Sequence, residues 1–402
     1  MKLALAAEGE SELGSLPNLE RHDSAARVLI ERIVTGSYPA EGIDWYPLKN
    51  SGGEVRFSRE AHGEDYTAGL MYELAVARGC DGLVMLRDSD NRAERDDLNR
   101  QGLADAASRS GRRIPAVLGL EIRTFEAWLL ADAEAFATVL RRGAPALPPK
   151  PEALWGAQGV AGSNHPKDVL KRVVRGLRGD YDRHLAASLC EVADLNLVAR
   201  ECPLGFGRFK RDLEHAFRPF DCVVAADLEN GIGRNNDLPW PKLKGDLRFL
   251  REKTSTAAEG KRNAVIMGRK TWDSVPTKFR PLPGRVNVIV TRDPEALTAS
   301  GAADGRDVLA VASLDDALTQ ASLRDDIDGL FVIGGGELFR QAFAHPRCRD
   351  LYLTRIEGTF GCDAFIPDPA ADFALVETLA SHHDAGLDYR MERWRRRTRL
   401  PG

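Results

Sequence analysis

The stretch Val223–Trp240, VVAADLENGIGRNNDLPW, lies just past the midpoint of a 402-residue chain. Val223–Ala226 is an apolar run that predicts a buried strand. Gly231 and Gly233 predict a turn, and Asp237-Leu238-Pro239-Trp240 leads into a helical pattern, KLKGDLRFLREKT. A fresh strand–turn–helix unit after more than two hundred residues means a chain built in two parts. Its length is also too great for one ordinary core.

Composition narrows the class. With 56 basic and 60 acidic residues the net charge is -4, so global charge does not mark a nucleic-acid binder, although a local basic patch stays open. The ending MERWRRRTRL is read as an edge strand with solvated arginines. Six cysteines (Cys80, Cys190, Cys202, Cys222, Cys348 and Cys362) form no Cys-x-x-Cys and no zinc spacing. They are expected to be reduced thiols in a cytoplasmic protein. The opening apolar run stops at Glu8, too soon for a signal peptide, and no segment is apolar enough to span a membrane.

The first part alternates strand and helix signals. KLALAA, DGLVMLRDSD and IPAVLGLEI predict strands. HDSAARVLIERIVTG, TAGLMYELAVARG and DLNRQGLADAASRSG predict helices. TFEAWLLADAEAFATVLRRG predicts one long helix with Trp128, Leu129 and Phe136 on its apolar side. APALPPKPEALWGAQGVAGSNHP predicts a loop or lid, and further helices follow. The rhythm implies a mostly parallel sheet. Pro219 and the strand DCVVAADL mark a boundary near residue 218, giving domains 1–217 and 218–402.

The second part carries motifs with a mechanism. Asp246 falls in the first part of a helix, flanked by Leu247 and Leu250 on the expected apolar face. A carboxylate among apolar side chains is costly without a partner. AVIMGRKTWDSVP gives a strand, Gly268, and a helix opening on Arg269, Lys270 and Thr271, an arrangement suited to phosphate. PLPGRVNVIVTRD places Arg285 before a strand and Thr291-Arg292 after it. GLFVIGGGELFRQAF gives a strand, three glycines and a helix, so backbone amides can approach a diphosphate.

In this order, these pieces resemble dihydrofolate reductase over residues 220–398. The resemblance implies a mainly parallel eight-stranded sheet and NADPH-dependent reduction of 7,8-dihydrofolate to tetrahydrofolate. It assigns Asp246 as the carboxylate that anchors the pterin and favours protonation at N5. Arg285 would clamp the glutamate carboxylate and Thr354 would support Asp246. Val223, Leu247, Leu250, Val275 and Ile333 would complete the substrate site. For the cofactor it implies Ala225, Ile232, Leu238, Arg269, Lys270, Thr271, Thr291 and Arg292. It adds Gly334 and Gly335, joined by a cis peptide, then Gly336, Glu337, Leu338 and Phe339. Leu238 and Trp240 match a loop that closes over the nicotinamide. Leu250 stands where the family usually has phenylalanine, which implies weaker folate binding.

In the first part, acids fall at predicted strand ends: Glu8 with Glu12, then Asp88 with Asp90, then Glu121 with Glu126. Carboxylates on one rim of a parallel sheet suit magnesium. This is similar to a Toprim domain of the OLD-type nucleases. The resemblance implies Glu8 in proton transfer, Glu8, Asp88 and Asp90 at the metal, and nucleic acid as a partner. Lys167, Lys171, Arg172 and Arg175 could follow a phosphate backbone or form a solvated helix face. Two readings stay open: a metabolic reductase with an accessory domain, or a magnesium nuclease with the reductase fold as an NADPH or folate sensor. The oligomeric state is open.

Overall fold

An unbroken apolar run within a strand must be covered on both faces. Strand β1, Lys2–Ala6, meets that demand: Leu3, Ala4 and Leu5 have no exposed surface. The computed structural model describes residues 1–7, 24–35, 43–48, 63–88, 94–122, 124–177 and 179–397. The chain divides into two units, Met1–Phe217 and Arg218–Leu400.

In the first unit β1 is followed by α1 (Ala25–Thr35), β2 (Asp44–Leu48), α2 (Glu64–Ala77), β3 (Gly82–Asp88), α3 (Glu94–Arg109) and β4 (Ala116–Glu121). The strands form one parallel sheet in the order β2-β1-β3-β4. Alternate side chains face opposite layers. Leu3, Leu5, Val84 and Leu86 pack with Trp128, Phe206 and Phe209, while Ala4, Ala6, Leu83 and Met85 pack with Tyr72 and Leu103.

The long helix expected after β4 is two helices, α4 (Glu126–Leu129) and α5 (Ala133–Leu140). Asp132 makes the break. Its Oδ1 accepts from Glu134 N at 3.0 Å and Ala135 N at 3.2 Å, so it starts a new helix instead of continuing the old one. Then come α6 (Pro166–Gly176), α7 (Arg183–Val192), α8 (Leu195–Glu201) and α9 (Phe206–Ala216). The Pro-rich connection before α6 is pinned. Glu152 within it is buried and accepts from the backbone N–H groups of Leu204, Gly205 and Phe206 at the start of α9.

The second unit has β5 (Phe220–Ala226), β6 (Gly231–Gly233), α10 (Lys244–Ser255), β7 (Arg262–Gly268), α11 (Arg269–Ser274), β8 (Arg285–Val290), α12 (Pro294–Ala299), β9 (Val308–Val311) and α13 (Leu314–Ser322). After these come β10 (Ile327–Gly334), α14 (Gly336–Ala344), β11 (Cys348–Ile356), β12 (Ala364–Phe365), α15 (Pro369–Asp372), β13 (Phe373–Asp384) and β14 (Leu387–Arg396). Eight strands form one sheet in the order β13-β14-β11-β5-β10-β7-β8-β9, parallel except for the β13–β14 hairpin at one edge. On β5, Val224 and Ala226 join a core with Phe339 and Phe343. Val223 faces the opposite layer with Val265, Met267 and Tyr352, on the side where α10 packs.

The basic ending is corrected in two respects. Its strand, β14, is second in the sheet and not the edge, and its arginines are bound. Arg393 and Arg395 pair with Asp350 at 2.9 and 2.7 Å, and Arg396 donates to the carbonyls of Cys348 and Phe343. All six cysteines are free thiols. Among the described residues, no helix is long and apolar enough to cross a membrane.

Candidate active site

Helix α10 starts after Pro239-Trp240-Pro241, where Trp240 is buried edge-on against Phe360 with ring centroids 5.6 Å apart. Asp246 lies in its first turn. The residue keeps some exposure, but its carboxyl is desolvated, and that burial raises its pKa above the ordinary value. The hydroxyl of Thr354 works in the opposite direction, lowering it. Thr354 is buried on β11, between Ala225 of β5 and Met391 of β14.

The other end of α10 holds a cation. Arg285, 5% exposed, donates from Nη1 to Thr254 Oγ1 at 2.7 Å and from Nε to Pro283 O at 3.1 Å. Among the described residues no carboxylate neutralises it. Burial, then the nearby charge of Arg251, lowers its pKa. Thr254 follows Asp246 by eight positions, so carboxylate and guanidinium sit at opposite ends of a helical run of roughly 12 Å. Between them Leu250 is partly buried, but Leu247 is 44% exposed. The expectation that both leucines face the core therefore holds only for Leu250. Val223 is buried, and Ile333 and Val275 are partly buried.

The glycine turns meet beside α11 and α14. The Gly334–Gly335 peptide is cis. Gly334 has φ 155°, and a Cβ there would lie 2.8 Å from Thr271 Oγ1, so only glycine fits. A Cβ on Gly336 would lie 2.9 Å from Phe365 O and 3.9 Å from Ile232 Cδ1. Neither α11 nor α14 has a side-chain cap, which leaves N–H groups available to an anion. Arg269 is exposed and paired with Asp273 at 2.8 Å; Lys270 and Arg292 are exposed. Thr291 accepts from Asp293 N. Glu337 is exposed and turned along its own helix to Arg340 and Gln341, which depress its pKa to about 2. Leu338 and Phe339 are buried in the core with Val332, and Ile232 packs against that cluster.

The loop before α10 is shaped by a tight turn. Asn235 and Asn236 have φ 52° and 62°, and Arg234 and Asp237 exchange backbone hydrogen bonds across them. Leu238 beyond the turn is 45% exposed.

In the first unit, Glu8, Glu12 and Asp90 lie outside the described residues. Asp88, partly buried, ends β3 in register with Glu121 of β4. Glu121 is 1% exposed. Glu126, also buried, accepts from Tyr181 at 3.1 Å and lies 3.8 Å from Lys167 Nζ. Its second oxygen, Oε2, is buried without a hydrogen-bond partner among the described residues. Lys171, Arg172 and Arg175 are exposed on α6. Among the described residues no group of three or more His, Cys, Asp or Glu could hold a metal ion.

Sequence reasoning missed Arg251, whose charge acts on Arg285, and Tyr389, whose hydroxyl meets the first turn of α10. Neither carries a local motif; the fold alone brings them to the site.

Comparison with known proteins bears on the second unit. The family model described as Dihydrofolate reductase matches residues 219–396. The chain is 40% identical over 164 residues to the dihydrofolate reductase of Aedes albopictus, covering 40% of this chain and 85% of that protein. It is 37% identical over 180 residues to the Bos taurus dihydrofolate reductase, covering 44% of this chain and 92% of that protein. It is 42% identical over 168 residues to the bifunctional dihydrofolate reductase-thymidylate synthase 1 of Arabidopsis thaliana, covering 41% of this chain and 31% of that relative.

Proposed function

Because the chain belongs to the dihydrofolate reductase family and is an enzyme of that kind, we propose that its second unit reduces 7,8-dihydrofolate to 5,6,7,8-tetrahydrofolate with NADPH. The observation that carries this is the pairing of a desolvated carboxylate and an unneutralised guanidinium at the two ends of α10. A pterin with a glutamate tail offers a donor edge and a carboxylate at such a spacing.

Asp246 accepts two hydrogen bonds from the 2-amino and N3 edge and holds the ring so that N5 takes a proton. Thr354 orients Asp246. Leu247, Leu250, Val223, Val275 and Ile333 give the ring and linker apolar walls. Arg285 clamps the tail carboxylate with its planar fork. When bound, NADPH supplies the hydride to C6. The bare N–H groups at Gly335 and Gly336 fit its diphosphate. Arg269, Lys270, Thr271, Thr291 and Arg292 receive its adenosine phosphate, and Ala225, Ile232 and Leu238 border the nicotinamide. The loop carrying Leu238 and Trp240 excludes water. A kinetic split tests the assignment: Arg285→Lys should raise KM for dihydrofolate about tenfold or more with kcat little changed. A fall in kcat with KM unchanged would remove Arg285 from the tail site.

For the first unit we propose a Toprim-like magnesium site acting on phosphodiesters. The register of Asp88 with Glu121 supports it, since ligands bind outside the carboxyl ends of parallel strands. Carboxylates suit magnesium, with Glu8 and Asp90 as the further ligands proposed. Magnesium-dependent cleavage of DNA or RNA that is lost in Asp88→Ala is the expected result. No cleavage, or cleavage unchanged in that variant, would leave the unit as an accessory to the reductase.

A further inference from the structure

Helix α10 carries Asp246 in its first turn, yet Leu243, the residue at its N-cap, offers no side-chain cap. The first N–H groups of a helix have no partner within it and must find one elsewhere. One of them finds it in the β13–β14 hairpin, and a second hairpin residue packs against the same turn. Asp384 Oδ2 accepts from Lys244 N at 2.7 Å, across 140 positions of sequence. The ring of Tyr389 lies against the same turn, with its hydroxyl beside Gly245.

The second contact explains a residue that helix propensity does not. Glycine inside a helix is unfavourable relative to alanine, but a Cβ on Gly245 would lie 2.2 Å from the Tyr389 hydroxyl. That ring cannot readily give way, because Tyr389 is 2% exposed and packed with Trp240 and Leu243. The hairpin tip is itself tightly defined. Ala385 and Gly386, with φ 51° and 79°, form the two-residue turn between paired Asp384 and Leu387. Strand β14 also pairs Met391 with Thr354, the residue whose hydroxyl lowers the pKa of Asp246. One strand therefore supports both the helix turn that carries the acid and the hydroxyl that meets it.

We infer that Asp384 and Tyr389 are positioning residues for the reductase reaction: the hairpin tip holds the first turn of α10, and through it Asp246, against Thr354. This rests on the proposed role of Asp246. The cofactor's diphosphate end, on α11 and α14, lies on other elements, so the two ligands should respond differently.

The test uses the full chain and its Asp384→Ala, Asp384→Asn and Gly245→Ala variants, with dihydrofolate and NADPH. Asp384→Ala and Gly245→Ala should each lower kcat/KM for dihydrofolate about tenfold, a loss in keeping with a small misplacement of a reacting group. Their NADPH Kd should stay within about twofold of the parent's, since no contact to that end is touched. Asp384→Asn should recover most of the loss, because asparagine caps as well as aspartate. Gly245→Ala decides most sharply, since helix propensity alone predicts no harm from it. Parental kinetics in either Asp384→Ala or Gly245→Ala would overturn the inference. So would an equal loss of NADPH affinity, or failure of Asp384→Asn to recover. Asp246→Asn is run alongside: if it retains turnover, the assignment of Asp246 has failed, whereas a dead Asp246→Asn beside a normal Asp384→Ala defeats the positioning inference alone.

Discussion

Thr354, on β11, acts on the carboxylate of Asp246, on α10, and its hydroxyl opposes the burial that raises the acid's pKa. The two residues are 108 positions apart and are brought together by the fold. The balance of the two effects makes Asp246 a poised group, and several outcomes depend on it.

The first concerns stability. Desolvation raises the pKa of Asp246 in the folded chain, so the folded state binds its proton more tightly than the unfolded state. The resulting stabilisation is complete below the unfolded value and is lost as pH rises through the folded one. At neutral pH the ligand-free protein therefore bears the cost of a buried charge. Asp246→Asn, which keeps an acceptor for Thr354, should raise the melting temperature at pH 7, and the gain should shrink as pH falls toward about 4. Thermal melts across that range check this; a lower melting temperature at pH 7 would show that the ionised carboxylate stabilises the fold.

Removing the hydroxyl should move the same equilibrium further. Thr354→Val leaves burial unopposed, so the Asp246 pKa should rise and the pH profile of kcat/KM should shift toward higher pH. The accompanying loss in kcat/KM should be about tenfold, the value of a hydrogen bond to a charged group. A profile that keeps its position while the rate falls would place Thr354 outside the titration of Asp246.

The cofactor preference should depend on Arg292, exposed beyond the carboxyl end of β8. Arg292→Ala should weaken NADPH binding about 10- to 100-fold, as expected for a lost charge-assisted contact, and leave NADH binding unchanged. Fluorescence titration with both nucleotides tests it. Equal loss for the two would mean that Arg292 does not read the 2'-phosphate.

Leu250 gives a gain-of-function test. It is partly buried beside the proposed pterin site and offers an apolar wall without a ring. Leu250→Phe should tighten binding of an antifolate about 2- to 10-fold through stacking. Unchanged or weaker affinity would show that the ring is not seated against the ligand at this position.

The parts of the site that could be read in advance are those whose chemistry is local in sequence. Gly334, Gly335 and Thr271 announce a close backbone approach, and the structure places a Cβ on Gly334 2.8 Å from Thr271. Arg285 could be found from its turn, but its isolation from any described carboxylate could not. The break between α4 and α5 was hidden because Leu129, Leu130 and Ala131 carry the apolar pattern straight through it, and Asp132 looks like a solvent-facing helix residue until it is seen capping. The cap of α10 was hidden for the opposite reason. Its acceptor, Asp384, lies 140 positions away on a hairpin whose sequence shows no link to the helix. The acids of the first unit stood out as a pattern, and of their strand-end members the structure describes Asp88 and Glu121 as register partners.

The most direct measurement is the oxidation of NADPH by the purified full-length chain with dihydrofolate, beside its Asp246→Asn variant. The parent should turn over and the variant should lose at least about a hundredfold in kcat while binding NADPH with unchanged affinity. Turnover in Asp246→Asn equal to the parent's, with both proteins folded, would contradict the assignment of Asp246 as the carboxylate on which the reaction depends.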